Sequence, residues 1–411
     1  MVKRFITEKI EKHLSKKQHT IIIGARQTGK TTLLKHLFEQ TTANGYAATF
    51  ISFENHEILE AVNQHPENIF LFVEKVFEKQ QDKKLFLFID EVQYAANATN
   101  FLKYLYDIYE EKIKIIATGS SAFYIDRKFE DSLAGRKRIF HLKHLNFDEY
   151  LFAQQADDLQ KELTIIRSSS NYISSKRKDI LYYFNEYLCF GGYPIVAIEP
   201  DRDEKIELLH ELRDSYLRKD ALEGGILHEQ KFLRLMSILA AQTGSLVNRN
   251  ELATTLGIDN KTIDNYLTIM QKSFHISLIT PYSNNLRKEL TKMPKIYFSD
   301  FGMRNSLLKN FEKFVFRTDK GELLENYINI RLSELYEEED IHFWRTSDQH
   351  EVDFVVRKNY SEAIAFEIKF SESQIKKKKY NTFIESYPEI PLKFMSYDTT
   401  DQRVSTNILS L

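Results

Sequence analysis

One stretch constrains this chain more than any other: Thr20-Ile-Ile-Ile-Gly-Ala-Arg-Gln-Thr-Gly-Lys-Thr-Thr-Leu-Leu34. Its β-branched run, Ile21 to Ile23, reads as a buried strand. Gly24 breaks the run. From there Gly24-Ala25-Arg26-Gln27-Thr28-Gly29-Lys30-Thr31, followed by Thr32, satisfies G-x-x-x-x-G-K-[ST] at every fixed position. Leu33, Leu34, His36 and Leu37 then open a helix. Glycines let such a loop wrap closely and aim its backbone N–H groups at a phosphate. Lys30 would reach the β- and γ-phosphates, Thr31 would ligate Mg²⁺, and the helix N-terminus would add its dipole. A chance glycine turn with an exposed lysine would need neither the strand before it nor the helix after it. The stretch therefore predicts binding of a nucleoside triphosphate.

The rest of the composition sets bounds. A chain of 411 residues predicts about two to four domains. A net charge of −2 supplies no global basic field that would argue for nucleic acid. The single cysteine, Cys189, excludes an intrachain disulfide and fits a reducing compartment. With no apolar run long enough to span a bilayer and no signal-peptide core at the start, a cytoplasmic protein without a membrane partner is expected.

Along the chain, residues 1 to 19 suggest a short amphipathic helix on Phe5, Ile6, Ile10, His13 and Leu14. A second strand is expected over 47–53, and a helix over 58–79. Leu85-Phe-Leu-Phe-Ile-Asp-Glu91 is an unbroken apolar run ending in two carboxylates, the pattern of a central parallel strand. A helix over 101–109 and a strand over 113–117 follow, ending in Thr118-Gly-Ser-Ser121. Strands alternating with helices imply a doubly wound α/β domain. Within it Asp90 would hold Mg²⁺ directly or through water, and Glu91 could polarise the attacking water as a general base. Ser120 is a candidate γ-phosphate sensor, with a plain turn serine as the alternative. Arg136, in Ser132-Leu-Ala-Gly-Arg136, is a candidate arginine finger. Arg138 competes for that role, and a surface arginine is the bland alternative.

These segments together resemble one family. The P-loop through Thr32, the strand ending Asp90-Glu91-Val92-Gln93, Thr118-Gly-Ser-Ser-Ala122 and Ser132-Leu-Ala-Gly-Arg136 are similar to the AAA-like P-loop ATPases of bacteria and archaea that carry a C-terminal domain of unknown function. Tyr187-Leu-Cys-Phe-Gly-Gly-Tyr-Pro194 and Tyr216-Leu-Arg-Lys-Asp220 continue the resemblance, which covers nearly the whole chain. It implies an α/β P-loop NTPase core with a parallel sheet, binding ATP and Mg²⁺. A helical region, a winged helix and a restriction-endonuclease-like α/β domain are expected after it. The expected divisions are 1–150 for the ATPase domain, 151–230 for a helical linker or lid, 231–312 for the winged helix and 313–411 for the nuclease-like domain.

Residues 151–180 are polar without sustained periodicity and read as an excursion or loose linker. Leu181 to Leu222 reads as helical on either side of a turn at Gly191-Gly192-Tyr-Pro194. Asn250 to Leu267 has helix-turn-helix form, with Gly257 at the turn and Asp259 as a cap, and wing strands are expected over 274–282 and 295–299. Asn260, Lys261, Asp264 and Asn265 on the exposed face of the second helix sum to no charge, where phosphate contact wants a basic surface.

The last hundred residues hold a second constellation. An amphipathic helix over 321–335 carries Glu325 at the border of its apolar face, able to point toward a sheet. Strands follow over 342–346, 351–356 and 363–369. Asp353 and, fourteen residues on, Glu367-Ile368-Lys369 fit a D…(D/E)-x-K pattern with Glu367 and Lys369 on one strand face. This looks like the restriction-endonuclease-like fold, with Glu325 as the helix acid. Three carboxylates in one region would repel unless a cation sat among them, so a second Mg²⁺ or Mn²⁺ is expected. Lys376 to Lys379 could approach phosphate, though a solvated helix face is the plainer account.

Three functions follow as expectations: an ATP-hydrolysing switch whose C-terminal domain engages nucleic acid or a protein; an ATP-gated Mg²⁺-dependent DNA nuclease, with defence against foreign DNA as one setting for it; and a non-catalytic scaffold. DNA, a protein partner and self-association all stand open as partners.

Overall fold

Ile21, Ile22 and Ile23 fall in β1 (His19–Ile23), every residue of which is buried. The computed structural model describes residues 2–73, 84–109, 112–119, 133–169, 172, 174–283, 293–359, 361–399 and 404–411. It divides into two compact units, Met1–Leu145 with Lys272–Phe274, and Asn146–Gln271 with His275–Leu411. The four divisions expected from sequence thus map onto two units, with the boundaries expected at 230 and 312 lying inside the second.

The first unit opens with α1 (Ile6–Leu14), whose Ile10 packs beneath β1. After β1 come α2 (Lys30–Ala43), β2 (Ala47–Ser52), α3 (His56–Gln64), β3 (Leu85–Asp90), α4 (Ala98–Tyr109), β4 (Ile113–Gly119) and β5 (Lys137–His141). The five strands pair in the order β2-β3-β4-β1-β5, all parallel. The P-loop NTPase fold expected of this region is what forms. Each strand of the apolar runs at 21–23, 85–89 and 113–117 is covered on both faces, which is why those runs do not alternate. Register brings the carboxyl ends together: Ile23 lies opposite Gly119 of β4, and Ser52 opposite Asp90.

Two expectations need correction here. The helix expected over 58–79 stops at Gln64, because Pro66 forces His65 into extended backbone, and the chain continues as a 3₁₀ turn to Phe72. The remainder of that expectation lies outside the described residues. The loose linker expected over 151–180 holds regular helices, α5 (Phe147–Ala153), α6 (Asp157–Ser168) and the start of α7 (Arg177–Phe190). Leu159 and Leu163 bury one side of α6, an apolar stripe too short to stand out from a polar sequence. Arg167 closes it with a two-pronged bond to Asp148, at 2.7 and 2.8 Å.

In the second unit α7 ends at Gly191, and α8 (Pro194–Ile198) and α9 (Arg202–Glu223) follow. The Gly-Gly turn has a tertiary reason as well as a local one. Gly191 has φ +75°, and a Cβ there would lie 2.4 Å from a carboxylate oxygen of Asp300. Asp300 is buried, accepts from the Gly192 and Met303 N–H groups at 2.6 and 2.8 Å, and caps α13 (Phe301–Leu308). Asn305 of α13 donates back to the carbonyls of Leu188 and Cys189. The helical region and the segment around 300 are therefore one packed body.

Between them run α10 (Glu229–Ala241), α11 (Arg249–Leu256) and α12 (Asn260–Lys272). Gly257 makes the α11–α12 turn at φ +60°, and the Asp259 carboxylate accepts from Thr262 N at 2.7 Å, as its capping position predicts. The hairpin of β6 (Ile276–Pro281) and β7 (Lys295–Phe298) then enters a seven-stranded mixed sheet in the order β12-β11-β10-β9-β8-β6-β7. The other members are β8 (Ile341–Arg345), β9 (Glu351–Arg357), β10 (Ala363–Lys369), β11 (Leu392–Ser396) and β12 (Thr406–Asn407). β6 joins β8 in parallel through Thr280 and Pro281, so hairpin and C-terminal strands share one sheet. Against it lies α14 (Lys320–Leu335), with Leu324, Ile328 and Leu332 buried as its apolar face predicts, although Leu335 is exposed. α15 (Asn381–Ser386) follows the lysine run, which forms an exposed 3₁₀ turn rather than a helix face.

A buried ion triad holds α13 to α14. Arg317 Nη2 lies 2.7 Å from Asp319 Oδ2, and Arg304 Nη1 donates to the same oxygen. Burial alone would raise the Asp319 carboxyl, but Arg317 and Arg304 hold it down at about 2. A carboxyl depressed by folding adds stability that is complete above its unfolded value and is lost as pH falls through the folded one. Asp319 should therefore contribute about 2 kcal/mol that disappears between about pH 4 and pH 2. Urea melts across that range should show Asp319→Asn with a shallower acid slope than the parent; identical slopes would remove Asp319 as a source of acid lability.

Candidate functional site

The P-loop follows β1 at the carboxyl edge of the parallel sheet. Gln27 and Gly29 both have positive φ, which turns successive N–H groups toward one concavity ahead of α2. Gly24 is obligatory for a different reason: a Cβ there would lie 2.1 Å from the Leu142 carbonyl oxygen of the chain leaving β5. Thr28 is buried and donates to Ala25 O at 2.9 Å, fixing the loop from inside. Arg4 donates to Thr28 O at 2.7 Å, so the N-terminal segment braces the loop from the other side. Lys30 Nζ is bound to the carbonyls of Gly24 and Ala25 at 3.0 and 2.7 Å, placing its ammonium across the mouth of the loop.

Asp90 ends β3 with both oxygens engaged. Thr31 Oγ1 donates to Oδ2 at 2.8 Å, and Thr118 Oγ1, from the end of β4, donates to Oδ1. The Thr31 hydroxyl and Asp90 carboxylate are therefore an adjacent pair of hard oxygen donors, which fits Mg²⁺ brought in with a nucleotide. Glu91 leaves the strand in left-handed backbone, φ +56°, a conformation costly for a non-glycine residue. Its N–H donates to Thr118 Oγ1 at 3.0 Å, and its carboxylate accepts from the Gln93 side-chain amide. One buried hydroxyl thus orders the Asp90 carboxylate and the Glu91 backbone. Sequence reading passed over Thr118 in favour of Ser120, which lies outside the described residues. The available signal was the polar residue at the last inward position of a buried strand.

Lys30, Thr31, Asp90 and Glu91 are brought together as expected, but Arg136 is not among them. Its carbonyl accepts from His19 N at the opposite end of β1, one strand length of about 16 Å from Gly24 at ~3.3 Å per residue. Its guanidinium pairs with Asp107 through Nε at 2.7 Å and Nη2 at 3.3 Å. A role for Arg136 at the P-loop of its own subunit is ruled out by that geometry. Arg138, one residue into β5, starts from the same end of the strand.

In the second unit Glu325, Asp353, Glu367 and Lys369 do share a neighbourhood, though not as an open metal site. Asp353 and Glu367 are interlocked across β9 and β10: Ile368 N donates to Asp353 Oδ2 at 2.8 Å and Asp353 N to Glu367 Oε2 at 3.3 Å. Lys369 Nζ donates to Glu367 Oε1 and to Ile368 O, the latter at 2.9 Å, and stands 4.0 Å from Asp353 Oδ2. Tyr380 OH also donates to Glu367, at 2.8 Å. Glu325 turns instead to Lys295 Nζ, 2.9 Å away, and accepts from Tyr297 OH. Burial and the neighbouring Asp353 push Glu367 up, against Lys369 and Tyr380; burial chiefly pushes Glu325 up, against Lys295. Among the described residues no three Asp, Glu, His or Cys side chains are grouped to hold a metal ion. The second Mg²⁺ or Mn²⁺ expected between Glu325, Asp353 and Glu367 therefore does not fit, because lysines already answer these carboxylates. Lys295, Tyr297 and Tyr380 were missed, since only the folded sheet sets them beside the motif.

No described helix is long and apolar enough to cross a membrane. Residues 16–151 match a family model described as an AAA domain. Residues 181–313 match a domain of unknown function, DUF8612, and residues 320–410 another, DUF4143. An uncharacterized protein of Methanocaldococcus jannaschii is 24% identical over 407 residues, covering 96% of this chain and 86% of its own length. One of Haemophilus influenzae is 26% identical over 347 residues, covering 82% and 79%. Among solved structures, AMPPCP-bound DnaA from Aquifex aeolicus aligns with TM-score 0.31 and 16% identity over 64% of this chain and 86% of that one. ORC2 of Aeropyrum pernix, solved as ADPNP-ADP complexes, aligns with TM-score 0.36 and 14% identity over 81% and 92%.

Proposed function

We propose, on the premise that this chain belongs to the AAA-domain P-loop ATPases with a C-terminal domain of unknown function, that it hydrolyses ATP and so drives engagement of a partner by that second domain. The observation that carries the reading is the hydrogen-bonded run Thr31–Asp90–Thr118–Glu91 beside Lys30 at one sheet edge. In it the P-loop residues 24–32 would cradle the phosphates, Lys30 would exchange its carbonyl partners for phosphate oxygens, and Thr31 with Asp90 would hold Mg²⁺. Glu91 would orient water, held there by Thr118 and Gln93.

The partner is a nucleic acid or a protein, and the surface of α12 weighs toward protein. Helices α11 and α12 with the β6–β7 hairpin support a winged-helix reading. Asn260, Lys261, Asp264 and Asn265 are exposed as expected, but Asp264 is neutralised by Arg249 and Asn260 is bound to Asn250. That face offers phosphate little net charge. A second reading, an ATP-gated nuclease of restriction-endonuclease-like fold, has the placement of Lys369 beside Asp353 and Glu367 in its favour and, against it, the lysine contacts that occupy the place of the Mg²⁺ such cleavage would need.

The test is phosphate release by the purified full chain with ATP and Mg²⁺, alone and with plasmid, linear or single-stranded DNA, scoring nicks in the same tubes. Turnover is expected. Thr118→Val keeps shape but removes a hydrogen bond to a charged group, and should slow turnover about tenfold or more. Parent protein that releases no phosphate under any condition would end the ATPase reading and leave a non-catalytic scaffold; nicking that vanishes in Asp353→Ala would bring in the nuclease.

A further inference from the structure

The geometry points to Lys295 as the resident cation of the C-terminal cluster, an ammonium built into the fold in the place of the divalent ion that its carboxylates would otherwise call for. Lys295 is not part of the D…(D/E)-x-K pattern. It arrives from β7, on the hairpin that the sheet draws in beside β8. Its side chain is only 2% exposed, and its Nζ lies 2.9 Å from Glu325 Oε1 and 2.6 Å from Glu351 Oε1. The ring of Phe343 takes a further face, 5.5 Å from centroid to Nζ. Glu351 is closed on its other oxygen by Arg345 at 2.8 Å.

An ammonium so placed is buried from water and balanced by two carboxylates from different elements, α14 and β9. Any divalent ion close enough to ligate Glu325 Oε1 would stand against the Lys295 charge in a poorly solvated site, where like charges repel strongly. Lys369 repeats the arrangement on the far side, its Nζ held by Glu367 Oε1 and Ile368 O, the acceptors an incoming ion would need there. Four carboxylates, Glu325, Glu351, Asp353 and Glu367, are thus met inside the fold by three cations, Lys295, Arg345 and Lys369. The work of the cluster is to fasten β7, β9 and α14 to one another, and a divalent site is latent in it, uncovered when the Lys295 charge is removed.

This inference is independent of the ATPase reading, and the experiment keeps the two apart by placing Asp90→Asn in every sample, so that the P-loop contributes no metal ligand pair. Full-length protein without nucleotide is titrated with millimolar Mn²⁺, following melting temperature and counting bound ions by paramagnetic resonance. The parent should show no bound Mn²⁺ that depends on Asp353 and no rise in melting temperature. Lys295→Met, which keeps the length of the side chain without its charge, should melt lower in chelator. It should gain one Mn²⁺, with a rise in melting temperature that Glu325→Gln cancels. Lys295→Gln serves if the Met variant loses its circular dichroism. Mn²⁺ binding by the parent that is lost in Asp353→Asn would overturn the inference, and so would Lys295 variants that fold and gain no ion.

Discussion

Glu91→Gln should retain ATP and slow its hydrolysis by about two to four powers of ten, the range for loss of a positioned general base. The structure makes this substitution a clean one. The variant would keep the backbone N–H that donates to Thr118, and the new side-chain amide oxygen could still accept from Gln93. Lys30, Thr31 and Asp90, which meet the phosphates and Mg²⁺, are untouched, so affinity for ATP should stay within a few-fold of the parent. What changes is the ability to take a proton from water, which an amide lacks. Single-turnover hydrolysis together with nucleotide binding measures both halves. Turnover at the parent rate would remove Glu91 from the base role, and joint loss of binding and turnover would indicate a collapsed loop at the strained φ +56° position.

Arg136→Ala should cost about three to five powers of ten in hydrolysis if Arg136 stabilises transition-state charge, as arginine fingers do. The distance from its own P-loop means that it could act only on a neighbouring copy of the chain, after releasing Asp107. A pair at the surface, with both side chains about a third exposed, is weak enough for that release. The decisive measurement is complementation. Mixing Arg136→Ala with Lys30→Ala, each inactive alone, should restore activity because one copy supplies the finger and the other the intact P-loop. Protein that turns over ATP at the same specific rate at every concentration, and mixtures that stay inactive, would return Arg136 to the status of a surface arginine. Arg138 is then the next residue to test, having the same strand end in common.

The nucleotide half of this protein was legible because its signals are local. The strand, the glycines and the lysine of 20–34 must be contiguous to do their work, and the apolar runs ending at Asp90 and Thr118 mark doubly covered strands without reference to any other segment. The cap at Asp259, the turn at Gly257 and the breaks at Gly191-Gly192 are equally local, since each is a demand of backbone geometry on the residue that meets it.

What sequence spacing could not supply was which charges answer which. A D…(D/E)-x-K spacing fixes Glu367 and Lys369 on one strand face, but it is silent about Lys295, which lies well ahead of Glu325 in the chain and is carried in on a different hairpin. Electrostatic balance depends on three-dimensional distance, so three carboxylates that looked unpartnered along the chain share Lys295 and Lys369 in the folded sheet. The same holds for Thr118, whose hydroxyl is unremarkable until β4 lies beside β3, and for Arg136, whose motif gave no hint that its backbone begins β5 at the end of the sheet away from the P-loop. The sequence by itself determined the parallel strands and the phosphate loop, through local backbone rules and hydrophobic period, but not the end of the helix at Gln64 or the helices within 151–180. Only the tertiary structure decided which polar groups are neighbours, because strand order and register, set by the packing of whole elements, place residues far apart in the chain within a hydrogen bond of one another.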